Sequence, residues 1–257
     1  MSGISTVQIL ALPGIPLVSQ GDDLAALIEA ALARAGLALQ DHDVVVVAQK
    51  IVSKAEGRAV RLDTVTPSAR ALELAAEVGK DPRVVEVILS ESARVVRTRP
   101  ALMIMEHRLG FVMANAGVDQ SNIAGDDGAE MALLLPRDPD GSAEVLRVRL
   151  AARHGTKLGV IINDSFGRAW RRGIVGTAIG VAGLPALIDL RGNPDLFGRP
   201  LQVSIAGFAD EIAAAASLVM GQADEGQPVA LVRGLEWRAP SSNAAEMVRP
   251  PGEDLFR

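Results

Sequence analysis

Val44-Val45-Val46-Val47-Ala48 is a β-branched run too short for a helix, and it reads as a strand buried on both faces. Leu158–Ile162 is a second apolar run of the same kind. Working outward, Asp22 and Asp23 precede Leu-Ala-Ala-Leu-Ile-Glu-Ala-Ala-Leu-Ala-Arg-Ala-Gly-Leu, whose apolar residues recur at helical spacing. Carboxylates at its start favour the positive end of the helix dipole, and Gly36 can end it. Ser68–Lys80 reads as a helix ending near Gly79, and Asp81-Pro82 as the cap and first position of a further helix over Arg83–Val96.

Met103–Met105 and Phe111–Ala114 are expected strands joined through a turn at Arg108–Gly110. Asp138–Gly141 has the composition of a turn, with Ser142 capping a helix that runs to about His154 and Gly155 beyond it. Leu201–Ile205 is a strand candidate, Asp210–Met220 an Ala-rich helix, and the Pro-containing tail from Arg238 irregular. Strands and helices alternate imperfectly, which favours a mixed α+β architecture over a regular doubly wound sheet. A lobe boundary is expected near Asp138–Gly141 within a single domain over 1–257.

With 49% hydrophobic and 22% charged residues, the 257-residue chain can bury a sizeable core. Five Phe, two Trp and no Tyr leave that core to Ala, Val, Leu and Ile. A net charge of −5 argues against a nucleic-acid surface. No Cys is present, which excludes disulfides and thiolate metal ligands. The start lacks a basic segment followed by a long apolar run, and no stretch of 18 apolar residues occurs. The expectation is a soluble cytoplasmic protein, with no membrane and no nucleic acid among its partners.

Two stretches share one layout. After the strand at Phe111–Ala114 comes Asn115-Ala116-Gly117-Val118-Asp119-Gln120-Ser121-Asn122; after Leu158–Ile162 comes Asn163-Asp164-Ser165-Phe166-Gly167-Arg168. Each delivers a carboxylate into a Gly-containing loop, where it can hold a hard divalent cation through oxygen. Turn chemistry is the commoner use of an Asp-Asn loop, so Asp119 and Asp164 gain weight only together. Arg168, Arg171 and Arg172 place three guanidiniums before the Gly-rich run Gly173–Gly183, suited to an anion, although a solvated, charged loop is the commoner fate of such a cluster. Lys50 and Lys54 follow the first strand as point charges a phosphate could use. No GxxxxGK[ST], strand-linked GxGxxG or GxSxG occurs, and the three histidines lack metal-ligand spacing. The acidic stretch Met220–Pro228 reads by composition as a loop.

Taken in order, Gly14–Val18 (GIPLV), Gly21–Ala25 (GDDLA), Val52–Arg58 (VSKAEGR), Asn115–Asn122, Leu134–Glu144 (LLPRDPDGSAE), Ile161–Gly183 and Leu231–Leu235 (LVRGL) resemble the F420-0:γ-glutamyl ligase family over nearly the whole chain. The resemblance implies an unusual α+β fold, two-lobed and homodimeric. It implies GTP-dependent addition of L-glutamate to the lactyl carboxylate of coenzyme F420-0, then γ-linked glutamates, through an acyl phosphate. It implies Mg²⁺ or Mn²⁺, with K⁺ as a further candidate ion.

By position, it assigns the metal to Asp119, Asp164, Ser165 and Gln222, the last standing where the family has Glu and bringing an amide oxygen without charge. It assigns GTP to Ile15, Pro16, Leu17, Val18, Gln49, Lys50, Lys54, Asn122, Met220, Gly221, Gln222, Ala223, Asp224, Glu225, Gly226 and Gln227. The arginines at 168, 171 and 172 are candidates for a substrate anion. Two other readings stay open at this point: a metal-dependent phosphohydrolase, and a nucleotide-binding module without catalysis.

Overall fold

The structure is a computed structural model, and it describes residues 5–123, 125 and 128–254. Along the chain lie β1 (Gln8–Ala11), α1 (Leu24–Arg34), β2 (Val44–Ala48), α2 (Gln49–Ala55), β3 (Ala59–Arg61), α3 (Ala69–Val78), α4 (Pro82–Ser90) and β4 (Ser92–Arg99). There follow β5 (Leu102–His107), β6 (Val112–Ala114), β7 (Met131–Leu133), α5 (Pro139–His154), β8 (Gly159–Arg168), β9 (Arg171–Ala182), β10 (Ile188–Asp189), β11 (Ile205–Ala206), α6 (Phe208–Met220) and β12 (Val229–Arg233). The expected mixed α+β class is the one the chain adopts.

The central sheet runs β1-β12-β2-β8-β9. Only β2 and β8 pair in parallel, with Val44 opposite Gly159 and Ala48 opposite Asn163. The valine run is buried on both faces, as its composition requires. Val45, Val47, Val160 and Ile162 pack with Ile28 and Leu32 of α1 and with Leu146 and Leu150 of α5. Val44, Val46 and Ile161 turn the other way, onto Ile212, Ala213 and Ala216 of α6. Alternation along a pleated strand thus feeds two cores, one on each side of the sheet. A third core joins α3 and α4 to Met103 and Met105 of β5 and to Leu134. Among the described residues no helix is long and apolar enough to cross a membrane.

Four expectations are corrected. The helix expected over Arg83–Val96 stops at Ser90, and Ser92–Arg99 is a strand paired with β5. Two serines close it: Ser90 Oγ donates to the Val87 carbonyl at 2.7 Å and Ser92 Oγ to that of Ile88 at 2.6 Å, side-chain competition of the kind that ends helices. Asp138–Gly141 is not a turn but the cap and first turn of α5, with Pro139 at its first position and Asp138 Oδ1 accepting from the Gly141 N–H at 3.0 Å.

The Gly-rich run after the arginines is a strand, not an anion loop. A Cβ on Gly176 would lie 2.5 Å from the Ala213 carbonyl oxygen, and one on Gly180 2.3 Å from that of Pro139. Those glycines let α6 and α5 pack directly on β9. The strand expected at Leu201–Ile205 is reduced to Ile205–Ala206, paired with Ile188–Asp189; upstream only scattered bonds remain, Leu190 N–H to the Ser204 carbonyl at 3.0 Å and Leu201 N–H to that of Asn193 at 2.9 Å.

Candidate functional site

The parallel pair β2/β8 ends with Ala48 opposite Asn163; there β2 gives way to α2, whereas the loop expected at Asn163–Arg168 is strand, β8 running on against β9 with Asp164 opposite Thr177. Gln49 and Lys50 open α2 on one side, and Asp164 and Ser165 continue β8 on the other. Asp119 joins them from the segment after β6, fixed by a backbone bridge to Leu133 whose two N–H···O bonds are 3.0 and 2.7 Å. Positive φ at Asn115, Ala116 and Gly117 bends the chain into that position.

A cleft of about 650 Å³ lies over this junction. Ile15–Val18 form one wall and the Met220–Pro228 loop the other; Gln49, Lys50, Lys54, Asp119, Asn122, Asp164 and Ser165 line the floor. Every residue given above to metal or nucleotide is therefore in one cavity. The three arginines are not: Arg168 and Arg171 pair across the distal end of the β8–β9 hairpin, and with Arg172 they are exposed. Asn163, Ser121 and Ile174 also line the cleft and were not singled out as site residues. Asn163 sits in the quoted motif, and only its strand register identifies it as a cleft residue.

Lys50 Nζ lies 2.6 Å from Asp119 Oδ2 and donates to Ser121 Oγ at 2.6 Å. The Ser121 N–H donates to Asp119 Oδ1 at 2.7 Å and its hydroxyl to Oδ2 at 3.0 Å. Burial works to raise the Asp119 pKa, but Lys50 and Ser121 together outweigh it, and the carboxyl is held below its ordinary value. Lys54 Nζ donates to the Asn122 carbonyl at 2.8 Å; burial, then the charge of Lys50, lowers its pKa.

Asp164 behaves oppositely. Burial pushes its carboxyl up to about 6; the Ser165 N–H at 2.8 Å pulls back, and the negative charge on Asp119 adds to the rise. Two acidic groups thus face each other, one neutralised and one in deficit of positive charge. Beside them Asn163 donates to Ser217 Oγ at 3.1 Å while its own buried Oδ1 has no partner. Carboxylate, hydroxyl and amide oxygens are the donors that hard divalent ions prefer, and the deficit at Asp164 is one such an ion would relieve. Among the described residues no group of three or more His, Asp or Glu side chains is gathered for a metal, so the remaining ligands would be Ser165, Gln222, water or substrate oxygens.

On the opposite wall, Gly221 has φ 76° and ψ −178°, a conformation open essentially to glycine alone. The loop folds Glu225 over it, with the Ala223 N–H donating to Oε2 at 2.7 Å. Backbone N–H groups of Ala223, Glu225 and Gln222 hold that carboxyl below its ordinary value. In this structure the loop's amide hydrogens are taken up by its own Glu225 carboxyl.

The cleft gathers two carboxylates and two lysines, and the comparisons with known proteins give the class of protein it belongs to, a ligase that forms amide bonds. Residues 14–234 match the F420-0:gamma-glutamyl ligase family. The chain is 48% identical to coenzyme F420:L-glutamate ligase of Methanothermobacter thermautotrophicus over 253 residues, 98% of this chain and 99% of that protein. It is 46% identical to the protein of the same name from Methanopyrus kandleri, over the whole of both chains, and 44% identical to that of Archaeoglobus fulgidus, over 98% and 96%. This chain belongs to the F420-0:gamma-glutamyl ligase family.

Proposed function

We propose that this protein joins L-glutamate to coenzyme F420-0, and adds further γ-linked glutamates, with conversion of GTP to GDP and phosphate. The observation that carries the reading is the convergence of Asp119, Asp164, Lys50 and Lys54 in one cleft, in a chain alike over its full length to ligases of that name.

A carboxylate does not react with an amine until one of its oxygens can leave. Transfer of the GTP γ-phosphoryl group to the acceptor carboxylate gives an acyl phosphate and GDP; the glutamate amine attacks the acyl carbon, the C–O bond breaks, and phosphate departs with the oxygen. Such chemistry needs positioning and charge neutralisation rather than a protein nucleophile. Lys50 and Lys54 supply positive charge to the phosphates, and the Ile15–Val18 and Met220–Gln227 walls, with Gln49 and Asn122, hold the nucleotide between them. Asp119, Asp164, Ser165 and the Gln222 amide would hold Mg²⁺ or Mn²⁺, with K⁺ a further candidate; when bound, the ion offsets charge on the transferring phosphoryl group. Arg168, Arg171 and Arg172 lie about 13 Å along the hairpin from Asp164, at about 3.3 Å per residue, where an anionic group at the far end of an extended acceptor could meet them.

Purified protein incubated with F420-0, GTP, Mg²⁺ or Mn²⁺ and glutamate should yield acceptor heavier by glutamyl units, with GDP formed only when both acceptor and glutamate are present. Equal GTP turnover with either omitted overturns ligation and leaves a phosphohydrolase. We further propose a homodimer, supported by the exposed apolar side chains Trp170, Leu196 and Phe197; light scattering that finds monomer alone at micromolar concentration overturns it. The third core, built between Leu62 and Leu134, supports two lobes within one domain; the second is inserted between α2 and α5, so the lobes divide on either side of residues 62–134 rather than at Asp138–Gly141.

A further inference from the structure

We propose that Lys50 is a tethered cation that holds the metal position of Asp119 until the ion and the nucleotide displace it together. The inference rests on Asp119 being a metal ligand, and it adds an order of events to that reading. Both oxygens of Asp119 are already engaged: Oδ1 by the Ser121 N–H, Oδ2 by the Lys50 ammonium at 2.6 Å and the Ser121 hydroxyl at 3.0 Å. A divalent ion sits about 2.1 Å from a carboxylate oxygen, inside the space that the ammonium fills. Two positive charges cannot share that approach to Oδ2, so ion and lysine exclude each other.

The neighbours show which part moves. Lys54 bonds the Asn122 carbonyl at 2.8 Å rather than a carboxylate, so an ion on Asp119 does not compete for its partner. Lys50 is one turn of α2 before it, half exposed to the cleft, on a flexible four-carbon stem. The Lys50 charge acts on both Asp164 and Lys54; with Asp119 and Asp164 taken up by the ion, the displaced ammonium is left the cleft beside Lys54, where two positive charges repel unless an anion lies between them. A polyphosphate is such an anion.

The ion therefore frees Lys50 for the phosphates, and the phosphates keep Lys50 off Asp119. Each ligand strengthens the other by the same factor, as linkage requires. Free protein, holding its own cation, binds a lone divalent ion weakly.

Mn²⁺ alone is titrated calorimetrically into chelator-treated protein, first without nucleotide and then with saturating GDP. The wild-type protein should bind Mn²⁺ at least about tenfold more tightly with GDP. Lys50→Met keeps the stem and removes the charge. Its Mn²⁺ affinity without GDP should rise about three- to tenfold, and the gain from GDP should shrink to about threefold or less. Lys50→Gln, a polar replacement, should behave alike and guards against a misfolded first variant. Asp119→Asn should lose Mn²⁺ binding under both conditions. If Asp119→Asn loses the ion while both Lys50 variants bind it no better than wild type, the metal site stands and the displacement is overturned. If Asp119→Asn binds Mn²⁺ as wild type does, the ligand assignment itself falls, and the displacement with it.

Discussion

Asp164→Asn should stabilise the metal-free protein while removing its use for the ion. The carboxyl is raised from an ordinary 3.8 to about 6, first by burial and then, against the Ser165 N–H, by the charge on Asp119. A rise of that size corresponds to about 3 kcal/mol. The sign follows from proton binding: between those two values the folded chain holds a proton that the unfolded chain has lost. The associated stability is complete below 3.8 and gone above about 6, so at neutral pH the ionised side chain is a burden on the fold. Asparagine has the same shape, keeps an oxygen for the Ser165 N–H and carries no charge. Urea denaturation of chelator-treated protein, followed by circular dichroism, should show the variant about 2–3 kcal/mol more stable at about pH 7.5. That advantage should fall to about half at about pH 5, as the wild type takes up its proton. Comparing the two proteins cancels the titrating groups that are not coupled to Asp164, including the buried Asp210, whose pKa is also raised by burial. A variant less stable than wild type, or an advantage that does not change with pH, would refute the account of this carboxylate.

Glu91 is buried, with Oε2 2.7 Å from Arg58 Nη2; burial opposes its ionisation, but His107, Arg58 and Arg108 overcome it and hold the carboxyl at about 2. Glu91→Gln leaves a buried guanidinium unpaired and should lower the unfolding free energy by about 3 kcal/mol at neutral pH. The wild-type contribution should be lost as pH falls from 4.5 toward about 2, so the variant's acid limb in urea titrations should be flatter; a cost below about 1 kcal/mol at neutral pH would count against the pair. Gly221→Ala would set a Cβ 2.1 Å from Glu225 Cδ, and the displaced loop should weaken GTP about tenfold by calorimetry, with an unchanged affinity excluding the loop from the nucleotide site. Gly180→Ala, 2.3 Å from the Pro139 carbonyl oxygen, must push α5 off the sheet and should cost about 2 kcal/mol or more; an unaltered thermal midpoint would show that this close packing does not matter.

The strand ends were legible because composition and chemistry coincide there. Val44–Val47 and Leu158–Ile162 have no polar residue and must be buried, so the polar residues that follow mark where each strand emerges from the core. After Ala48 the chain leaves the sheet, but after Ile162 it runs on as strand against β9, and the expected loop there was wrong. Lys50 and Asp164 could be found that way, and Asp119 by the same layout after β6. Their convergence could not, because it depends on β2 and β8 being neighbours and on the bridge between Asp119 and Leu133, pairings between residues far apart in sequence. The arginine-glycine stretch misled for a definite reason. Glycines that let backbone approach an anion and glycines that let a helix approach a strand are the same residue, and only the packed neighbours of Gly176 and Gly180 tell them apart. At Ser90–Ser92 the helix ends without glycine or proline, on two hydroxyls that bond backward, and neither punctuation rule applies.

The pairing of Ala48 with Asn163 has a bearing on how this protein can change over time. Lys50 and Asp164 are spaced by a ladder of backbone hydrogen bonds, not by the loops that follow, so loop insertions beyond Ala55 or Arg168 leave their separation intact. A single residue inserted within Val44–Ala48 would instead reverse every side chain after it, moving core valines to the opposite core and turning Lys50 away from Asp119. Drift in length is therefore tolerated at the rim and forbidden in ten residues of two strands, and a search for variants with altered acceptors is best confined to the rim.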